Sequence, residues 1–423
     1  MPLPLCIHST YDFETVRACF VKRDDNAPLA VVRPQTGADV QALVKYCVEN
    51  DVDFVVRSGG YDCAGRSQIR GALSIDLRDI NYVHVSEDEK TAKVGGGIIF
   101  RDLTRELDAK GLITPVDTVT SVGYVGWATL GGYSPFSSSH GLGVDQIVGA
   151  TVVNAKGELI DANDEHLKGI RGGGGIFGII TELTVKLYPL KEMLVSLIGY
   201  EKLAAEQPIP RALQLQLIGI ELPNLGKVLA VAASWAAADH DEGKKWFGKI
   251  AALGPCLMNN PEPRSVSAHC AFNEALLTWG SYGRAHTLNV KKYTPKLAEV
   301  LAKYTSLIPG GGIAISLHML REPAPNENSV FGARVEHHML ELIATTPVKE
   351  LEAKGAEWAV ELLSEVRKED LENVLESSYL SLLDNDDSDY RKIYREHYET
   401  LVVLKKKYDP NNVFKYAIPQ LSI

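Results

Sequence analysis

The sequence predicts an α+β fold divided into two domains. Its 423 residues, of which 45% are hydrophobic, are enough to form two separate cores. From Ala30 to about Leu190, short apolar runs alternate with glycine-rich turns, a pattern typical of many short strands. Beyond that region the glycine density falls, and longer strand-like and helical patterns follow. We therefore predict one domain over 1–190 and a second over 191–389.

The first domain is predicted to combine short strands with two helices. The helices are expected at about 37–49 and about 101–110. In the second of them, Leu103 and Leu107 stand among charged residues and Gly111 follows as a stop signal, which indicates a surface helix. The strands are expected in DFVVRSGG, GALSIDL, YVHVS, TAKVGGG, IVGATVVNAKGELID and IITELTVKLYP.

The second domain is predicted to contain longer elements, and a C-terminal segment follows it. Strand-like stretches are LQLQLIGIEL and KVLAVAASW, and helical stretches are DHDEGKKWFGKIAAL, TPKLAEVLAKY and VKELEAKGAEWAVELLSEV. From Tyr390 one charged helix, YRKIYREHYETLVVLKKKY, is expected to continue until Asp409-Pro410 ends it. The tail beyond is expected to return to the first domain, so that 390–423 completes 1–190.

Composition argues against several kinds of partner. Lys and Arg total 44 against 54 Asp and Glu, and no basic stripe alternates with aromatic residues, which argues against nucleic acid or an anionic membrane. The six cysteines show no CxxC spacing, so neither a disulfide framework nor a zinc site is expected, and a reducing compartment fits best. The N-terminus lacks a basic n-region, and no apolar stretch is long enough for a bilayer. We predict a cytoplasmic protein; its oligomeric state is left open.

An acidic run, DNDDSD at Asp384 to Asp389, has some likeness to a calcium loop. It lacks the required glycine, and Arg395 stands where the bidentate glutamate would be needed. We interpret the run as a solvated loop and expect no metal site.

Four glycine clusters suggest a large phosphorylated ligand. They lie at about 57–60, 95–97, 123–132 and 171–178. Such turns let backbone approach a ligand closely, and their successive N–H groups form anion sites, although glycine also serves ordinary tight turns. The spacing GxGxxG within RGGGGIFG is not a Rossmann fingerprint, because the following IITELTVKL alternates as a strand rather than a helix. We expect any phosphate to be held by loops between strands.

These segments, in this order, resemble the berberine-bridge-enzyme-like FAD oxidoreductases of the vanillyl-alcohol oxidase and p-cresol methylhydroxylase (PCMH) superfamily. The similar segments are VVRSGGYDCAG, GALSIDLRDINYVHV, TAKVGGGIIFRDL, SVGYVGWATLGGYSPFSSSHGLGVDQIVGATVVNAKGEL, RGGGGIFGIITELTVKL and, in the tail, YREHYETLVVLKKKYDPNNVFKY. The resemblance covers about 30–190 and about 376 to 423. It implies a PCMH-type FAD-binding domain and a substrate domain with an antiparallel sheet covered by helices.

The resemblance also implies which residues contact FAD. Arg57 and Arg171 could each neutralise phosphate or form ion pairs inside the domain, and we favour phosphate for Arg57 alone. The full predicted cofactor set is Arg57, Ser58, Gly59, Gly60, Tyr61, Ser67, Gly123, Gly126, Trp127, Thr129, Gly131, Gly132, Gly141, Val148, Gly178, Ile180 and Tyr416.

The sequence departs from the family pattern at several positions. Tyr61 stands where the family usually has the histidine that carries the flavin 8α-methyl group, and Val119 stands where some members have a cysteine joined to flavin C6. We therefore predict FAD bound without a covalent link. Cys63 replaces a common tyrosine, and His397 replaces a frequent asparagine of the C-terminal motif.

The implied chemistry is hydride transfer from a substrate carbon to flavin N5, with a base removing a proton and O2 as acceptor. The candidate catalytic residues in the segments expected to face the flavin are Tyr379, Tyr394, His397 and Tyr133. If FGARVEHHMLELI is a strand, Glu336 and His338 share one face and are a further acid–base candidate. For each residue the alternative is ordinary packing or a surface cluster.

Three functions follow from the sequence. The first is an FAD-linked oxidase or dehydrogenase acting on a small, partly apolar molecule, with a role in secondary metabolism. The second is a flavin-containing enzyme that catalyses a redox-neutral isomerisation or cyclisation in natural-product biosynthesis, which the loss of both linking residues favours. The third is an NADPH-dependent reductase, for which the sequence carries no nicotinamide motif.

Overall fold

The computed structural model describes residues 5–7, 12–198, 209–252, 261–275, 277–321, 323–383 and 388–421. Within these ranges the strands form four sheets. Up to residue 190 the strands are β1 (Leu5–Ile7), β2 (Ala30–Val32), β3 (Phe54–Arg57), β4 (Leu73–Asp76), β5 (Val83–Val85), β6 (Thr91–Gly95), β7 (Leu112–Ile113), β8 (Ile147–Val153), β9 (Leu159–Asp161), β10 (Ile179–Lys186) and β11 (Tyr188–Pro189). The later strands are β12 (Met193–Ile198), β13 (Leu213–Leu222), β14 (Gly226–Trp235), β15 (Pro263–Arg264), β16 (Tyr282–Val290), β17 (Ala314–Leu320) and β18 (His337–Thr346).

The helices lie between and around these sheets. They are α1 (Phe13–Arg17), α2 (Gly37–Glu49), α3 (Phe100–Asp108), α4 (Tyr124–Thr129), α5 (Ser137–His140), α6 (Gly143–Gln146), α7 (Asp164–Gly173), α8 (His240–Ala251), α9 (Val266–Glu274), α10 (Pro295–Ser306), α11 (Glu352–Glu369), α12 (Tyr390–Tyr394) and α13 (Tyr398–Tyr408).

A four-stranded sheet carries the first glycine loop. Its strand order is β1-β2-β4-β3, and β2, β4 and β3 run parallel. Between β2 and β3 the chain forms α2, whose bounds are those predicted. Thr36 starts this helix, because its hydroxyl accepts from the amide of Asp39 while the Asp39 carboxylate accepts from the amide of Thr36. Val40, Val44 and Cys47 pack into the core below the sheet, which fixes the strand from which the loop emerges.

A five-stranded antiparallel sheet follows, in the order β5-β6-β10-β8-β9. Its central strand β10 buries Leu183 and Val185 and exposes Lys186, which confirms the strand predicted after the GxGxxG spacing. The surface helix α3 is also confirmed, since Leu103 and Leu107 are buried while its charged side is open to solvent.

A seven-stranded antiparallel sheet forms the rest of the molecule, in the order β15-β12-β14-β13-β17-β18-β16. Helices α8, α10 and α11 cover one of its faces through side chains such as Phe247, Leu301 and Leu362. Leu217 and Leu340 point from the strands into the same core. The opposite face remains open toward the first half of the chain. The predicted α+β class is confirmed, with an antiparallel sheet covered by helices.

The C-terminal helix was predicted as one piece, and the structure shows two. Helices α12 and α13 are separated at Arg395, whose φ of 49° and ψ of −124° cannot continue a helix. The break lets Tyr394 and Leu401 both point into the hydrophobic core of the five-stranded sheet. A left-handed backbone at a non-glycine residue carries no signal in the sequence, so the periodicity alone suggested an unbroken helix.

The segment after α13 packs against the first sheet. Asp409 accepts hydrogen bonds from the amides of Val413 and Phe414, which turns the chain out of the helix. The Phe414 ring then meets Phe54 edge-on, at 6.1 Å between ring centroids. The tail is thereby fixed against β3, next to the first glycine loop.

No helix among the described residues has the length and apolarity needed to cross a membrane. Of the acidic run predicted to be a solvated loop, 384–387 lies outside the described residues.

Candidate active site

A cavity of about 500 Å³ lies between the glycine-rich loops and the open face of the seven-stranded sheet. This volume is in the range of small-molecule and cofactor pockets. All four glycine clusters contribute to its lining, through Gly59, Gly60, Gly96, Gly123, Gly126, Gly174, Gly175 and Gly178. Segments far apart in the sequence therefore build one wall, which we call the glycine wall.

Two of these clusters interlock because glycine has no side chain. A Cβ on Gly59 would lie 2.4 Å from the amide nitrogen of Gly123, and a Cβ on Gly123 would lie 2.1 Å from the hydroxyl of Ser58. Gly97 has a packing role of the same kind, with a Cβ falling 1.8 Å from the carbonyl oxygen of Leu77. Close packing of backbone against backbone thus explains part of the glycine content.

Gly126 and Gly175 are different. A Cβ added at either position meets no protein atom within 4 Å, and both residues line the cavity. Bare backbone here faces open space that a ligand can fill, so the glycine wall fits a flat cofactor that packs close to the main chain.

Most of the predicted cofactor residues meet at this cavity. The tail contributes Tyr416, whose hydroxyl donates to Asp53 at 2.8 Å. The predicted residues that line the cavity are Arg57, Ser58, Gly59, Gly60, Tyr61, Ser67, Gly123, Gly126, Trp127, Thr129, Gly178, Ile180 and Tyr416.

Four predicted cofactor residues lie elsewhere. Gly131, Gly132 and Gly141 have φ of +130°, +81° and +87°, so each is needed for a turn that L side chains rarely adopt. Their missing Cβ atoms make room for Phe331, Gly143 and Asp145 respectively. Val148 is 39% exposed on β8. The three glycines shape the loop behind the cavity, and Val148 faces outward because strand residues alternate between faces.

Arg57 lines the cavity, and both terminal nitrogens of its guanidinium donate to protein acceptors, whereas its buried Nε has no partner among the described residues. Its guanidinium donates to the carboxylate of Asp76 and to the carbonyl oxygen of Arg17, each at 2.8 Å. Arg171 donates to the carbonyl oxygens of Ile147 and Asn328. These bonds favour the alternative, an ion pair that holds the N-terminal segment, and phosphate binding by Arg57 stays a prediction.

The opposite wall of the cavity is the open face of the seven-stranded sheet, which we call the sheet wall. The Nε2 of Gln216 donates to the hydroxyl of Ser316 at 2.7 Å. That hydroxyl lies 2.8 Å from Nε2 of His318, and the same nitrogen lies 3.0 Å from Oε2 of Glu341. One continuous polar chain thus crosses three strands.

Sequence reasoning missed this chain. Part of the signal was present as Ser316 and His318, two apart in AISLHML, which period-two alternation puts on one face. What the sequence did not supply was the pairing of β13, β17 and β18, which puts Gln216 opposite His318 and Ser316 opposite Glu341.

A further carboxylate, Asp117, lines the cavity from the loop after β7. Burial raises its pKa to about 6, with His318 opposing and Glu341 adding to the shift. For His318, burial alone would lower the pKa, but the hydrogen bond and charge of Glu341, together with Asp117, raise it above the ordinary histidine value. The site therefore contains groups that exchange protons near neutral pH.

Two of the predicted catalytic residues lie in the cavity. Tyr133 and Tyr379 both line it, with ring centroids 4.8 Å apart. The hydroxyl of Tyr133 donates to Nε2 of His337 at 2.7 Å, because Nδ1 of that ring donates to the carbonyl oxygen of Val335. Burial raises the pKa of both tyrosines, so each stays a neutral phenol.

The other catalytic candidates lie outside the cavity. The hydroxyl of Tyr394 donates a hydrogen bond to the carbonyl oxygen of Gly172 at 2.8 Å, and its ring packs in the core of the five-stranded sheet. His397 is partly exposed near Glu396, in the turn between α12 and α13. Tyr394 thus contacts the back of the glycine cluster at 171–178, but neither side chain lines the cavity.

The predicted Glu336–His338 pair is also corrected. Glu336 is exposed and precedes β18. His338 lies on the face opposite the cavity, beside Leu217 and Met319. Residues one apart point to opposite faces, so it is Met339 and Glu341 of this strand that face the cavity.

Aromatic rings close the cavity next to the first glycine loop. Tyr61 stacks on Phe20, with centroids 4.0 Å apart and planes at 14°, and Trp279 meets Tyr61 edge-on at 5.9 Å. Backbone bonds fix the group, since the Phe20 amide donates to Gly60 and the Gly280 amide donates to Phe20. We call Phe20, Tyr61 and Trp279 the aromatic clasp.

One carboxylate links the clasp to the first half of the chain. Glu274, at the end of α9, accepts from the hydroxyl of Ser121 at 2.7 Å and from the indole nitrogen of Trp279 at 3.3 Å. Ser121 lies just before the glycine cluster at 123–132, whereas Glu274 and Trp279 come from the segment between β15 and β16. The clasp therefore joins the two halves of the molecule.

Comparison with known proteins identifies the cofactor domain. Residues 28–163 match the family described as FAD binding domain, and residues 378–419 match the family described as Berberine and berberine like. "FAD-linked oxidoreductase aurO" of Gibberella zeae is 32% identical over 98% of this chain and 85% of its own. "(R)-6-hydroxynicotine oxidase" of Paenarthrobacter nicotinovorans is 25% identical over 96% and 93%.

Solved structures agree in fold. The crystal structure of 6-hydroxy-D-nicotine oxidase from Arthrobacter nicotinovorans superposes with a TM-score of 0.85 at 22% identity, covering 100% of this chain and 98% of that one. Fold, matched domains and relatives together make the chain an FAD-dependent oxidoreductase. It belongs to the berberine-bridge-enzyme-like family of FAD-linked oxidoreductases, the family that the sequence motifs indicate.

Proposed function

We propose that the chain binds FAD without a covalent bond and oxidises a small, partly apolar molecule, with O2 as the electron acceptor. The observation that carries the proposal is the opposition of the two walls: bare backbone on one side and the hydrogen-bonded pair His318–Glu341 on the other, with Asp117 lining the same cavity. Bound FAD supplies a hydride acceptor at N5. The protein's own residues must hold the cofactor, orient the substrate and manage the proton.

Holding the cofactor falls to the glycine wall. The loop from Ser58 to Gly60 and the open backbone at Gly126 and Gly175 are the surfaces on which FAD would pack, with Tyr416 closing the far side. These residues contribute main-chain N–H groups and shape.

Two positions support non-covalent attachment. Val119 lines the cavity and has no nucleophilic atom. Tyr61 lines it too, and burial raises the pKa of its phenol well above the ordinary value, which keeps the oxygen protonated and poorly nucleophilic. The aromatic clasp supplies the retention that a covalent link would otherwise give.

Oxidation of the substrate also needs a base whose pKa lies near the pH at which the enzyme works. When a carbon that bears a hydroxyl or amine loses hydride, the heteroatom must lose a proton, and a base with a pKa near the operating pH is most effective. Asp117, at about 6, meets that requirement. Glu341 accepts a hydrogen bond from the substrate, and the raised pKa of His318 favours its donor form. Tyr133 and Tyr379 exclude water beside them.

The cofactor claim is tested on the purified protein. It should be yellow, and acid precipitation should leave FAD in the supernatant with a colourless pellet. A yellow pellet would disprove non-covalent attachment. Oxidation is tested by screening small alcohol, phenol and amine donors anaerobically for bleaching of the flavin without NAD(P)H. Restoration of the colour by O2, with peroxide formed, supports the oxidase. Product of unchanged mass, formed without oxygen uptake, would favour the redox-neutral alternative.

The role of Asp117 is tested by pH. With a donor that bleaches the flavin, kcat/KM should fall as pH drops below about 6, because the carboxylate must be ionised to accept a proton. Asp117→Asn should lower kcat/KM by about 10²- to 10⁴-fold and remove this acidic limb while FAD content stays the same. An acidic limb that persists at the same pH in the variant would assign the proton to another group.

A further inference from the structure

The sheet wall changes polarity along its strands. Towards one end, cross-strand neighbours are polar: Gln216 faces His318, and Ser316 faces Glu341. Two residues further along the strands the cavity lining becomes wholly apolar. We call this level of the sheet the apolar row: Ile220, Ala314, Ile343 and Ala285.

Strand pairing aligns the apolar row directly. Ala314 on β17 and Ala285 on β16 both lie opposite Ile343 on β18. Since a strand rises about 3.3 Å per residue, Ala314 is about 7 Å from Ser316 and about 13 Å from His318. The apolar row is therefore separated from Ser316 and His318 by the length of a short alkyl chain.

The two alanines, each 5% exposed, carry shorter side chains than the two isoleucines, so the row is lowest at Ala314 and Ala285. Ile343 stands between Ala314 and Ala285, so a notch lies on either side of its side chain. Ile220 and Ile343 remain partly exposed to the cavity, so a ligand can bury apolar surface at this level. Each methylene buried against such surface strengthens binding by about fourfold.

We propose that the apolar row determines substrate specificity. The substrate carries a hydroxyl or amine head at Glu341 and His318, and an unbranched apolar tail of several carbons that lies over Ala314 beside Ile343. This deepens the proposed function and rests on it, since it names the class of molecule that the same cavity accepts.

The test uses 4-alkylphenols, from 4-methylphenol to 4-heptylphenol, titrated by calorimetry into the purified full-length protein. In the native protein the Kd falls by about fourfold per added methylene until the notch is full. Ala314→Leu fills the notch, so 4-pentylphenol binds at least about tenfold more weakly while 4-methylphenol changes by less than about twofold. Ile343→Ala shifts the best tail to a longer one.

The controls separate the possible failures. Ala302→Leu places the same change on the exposed side of α10 and leaves every Kd unaltered. Ile343→Ala makes the opposite change in volume, so the test holds even if Ala314→Leu does not fold. A Kd independent of tail length, or equal weakening of short and long phenols by Ala314→Leu, would overturn the inference. Flavin colour reports the proposed function separately, because calorimetry does not depend on it.

Discussion

The two walls of the cavity are built on different physical principles. The glycine wall uses main chain, and each of its loops is one run of consecutive residues such as 57–60 or 171–178. The sheet wall uses side chains, and each of its polar pairs joins residues brought together by strand pairing, such as Gln216 and His318. The first wall is therefore specified by local sequence, and the second by register. Binding of a common cofactor suits the first, and choice of substrate suits the second.

The sharpest way to break this comparison is to remove the acceptor of the sheet wall. Glu341→Gln should lower kcat by about 10- to 150-fold, because a neutral amide accepts a weaker hydrogen bond from the substrate than a carboxylate does, while FAD content is unchanged. Steady-state rates and the flavin spectrum measure both. His338→Gln is the matched control, on the same strand but facing the helices, and it should change kcat by less than about twofold. Equal losses in the two variants would mean that the faces of β18 are wrongly assigned.

The glycine wall is tested by filling its open backbone. Gly126→Val introduces side-chain volume where only the cavity lies, so the FAD Kd should rise by about 5- to 150-fold, which corresponds to about 1–3 kcal/mol of overpacking. The melting temperature of the apoprotein should be nearly unchanged, since no protein atom lies within 4 Å of the added Cβ. Flavin fluorescence titration and thermal melting measure the two.

Gly248→Val controls for a β-branched side chain at a helical glycine, because Gly248 is exposed on α8, away from the cavity. It should leave the FAD Kd unaltered. If Gly126→Val lowers the melting temperature of the apoprotein instead of weakening FAD, that glycine has a packing role like that of Gly97.

The smallest effect is expected at the clasp, where the two halves of the molecule meet. Trp279→Leu removes an edge-on aromatic contact worth about 1 kcal/mol, so FAD should dissociate about fivefold faster. The rise of flavin fluorescence after dilution measures that rate. Phe272→Leu, an exposed ring on α9, is the control and should have no effect. An unaltered rate for Trp279→Leu would show that the clasp does not retain the cofactor.

The sequence predicted the walls unequally, for the reason that distinguishes them. Tyr61, Gly126 and Gly175 stand in local motifs whose order along the chain is a signature, so FAD and the fold class followed from the letters alone. His338 is a candidate in the sequence because it stands two residues after the carboxylate of Glu336, whereas the face that it occupies depends on which strands pair. The break at Arg395 was likewise unpredictable, since it takes a left-handed backbone without glycine.

The contact between Tyr416 and Asp53 joins residues 363 positions apart. A ribosome makes the glycine loop first and the tail that closes its far side last. A nascent chain therefore presents the flavin loops long before the cavity has its final wall. We therefore expect FAD to bind only after the C-terminal segment has been made and has packed against the first glycine loop.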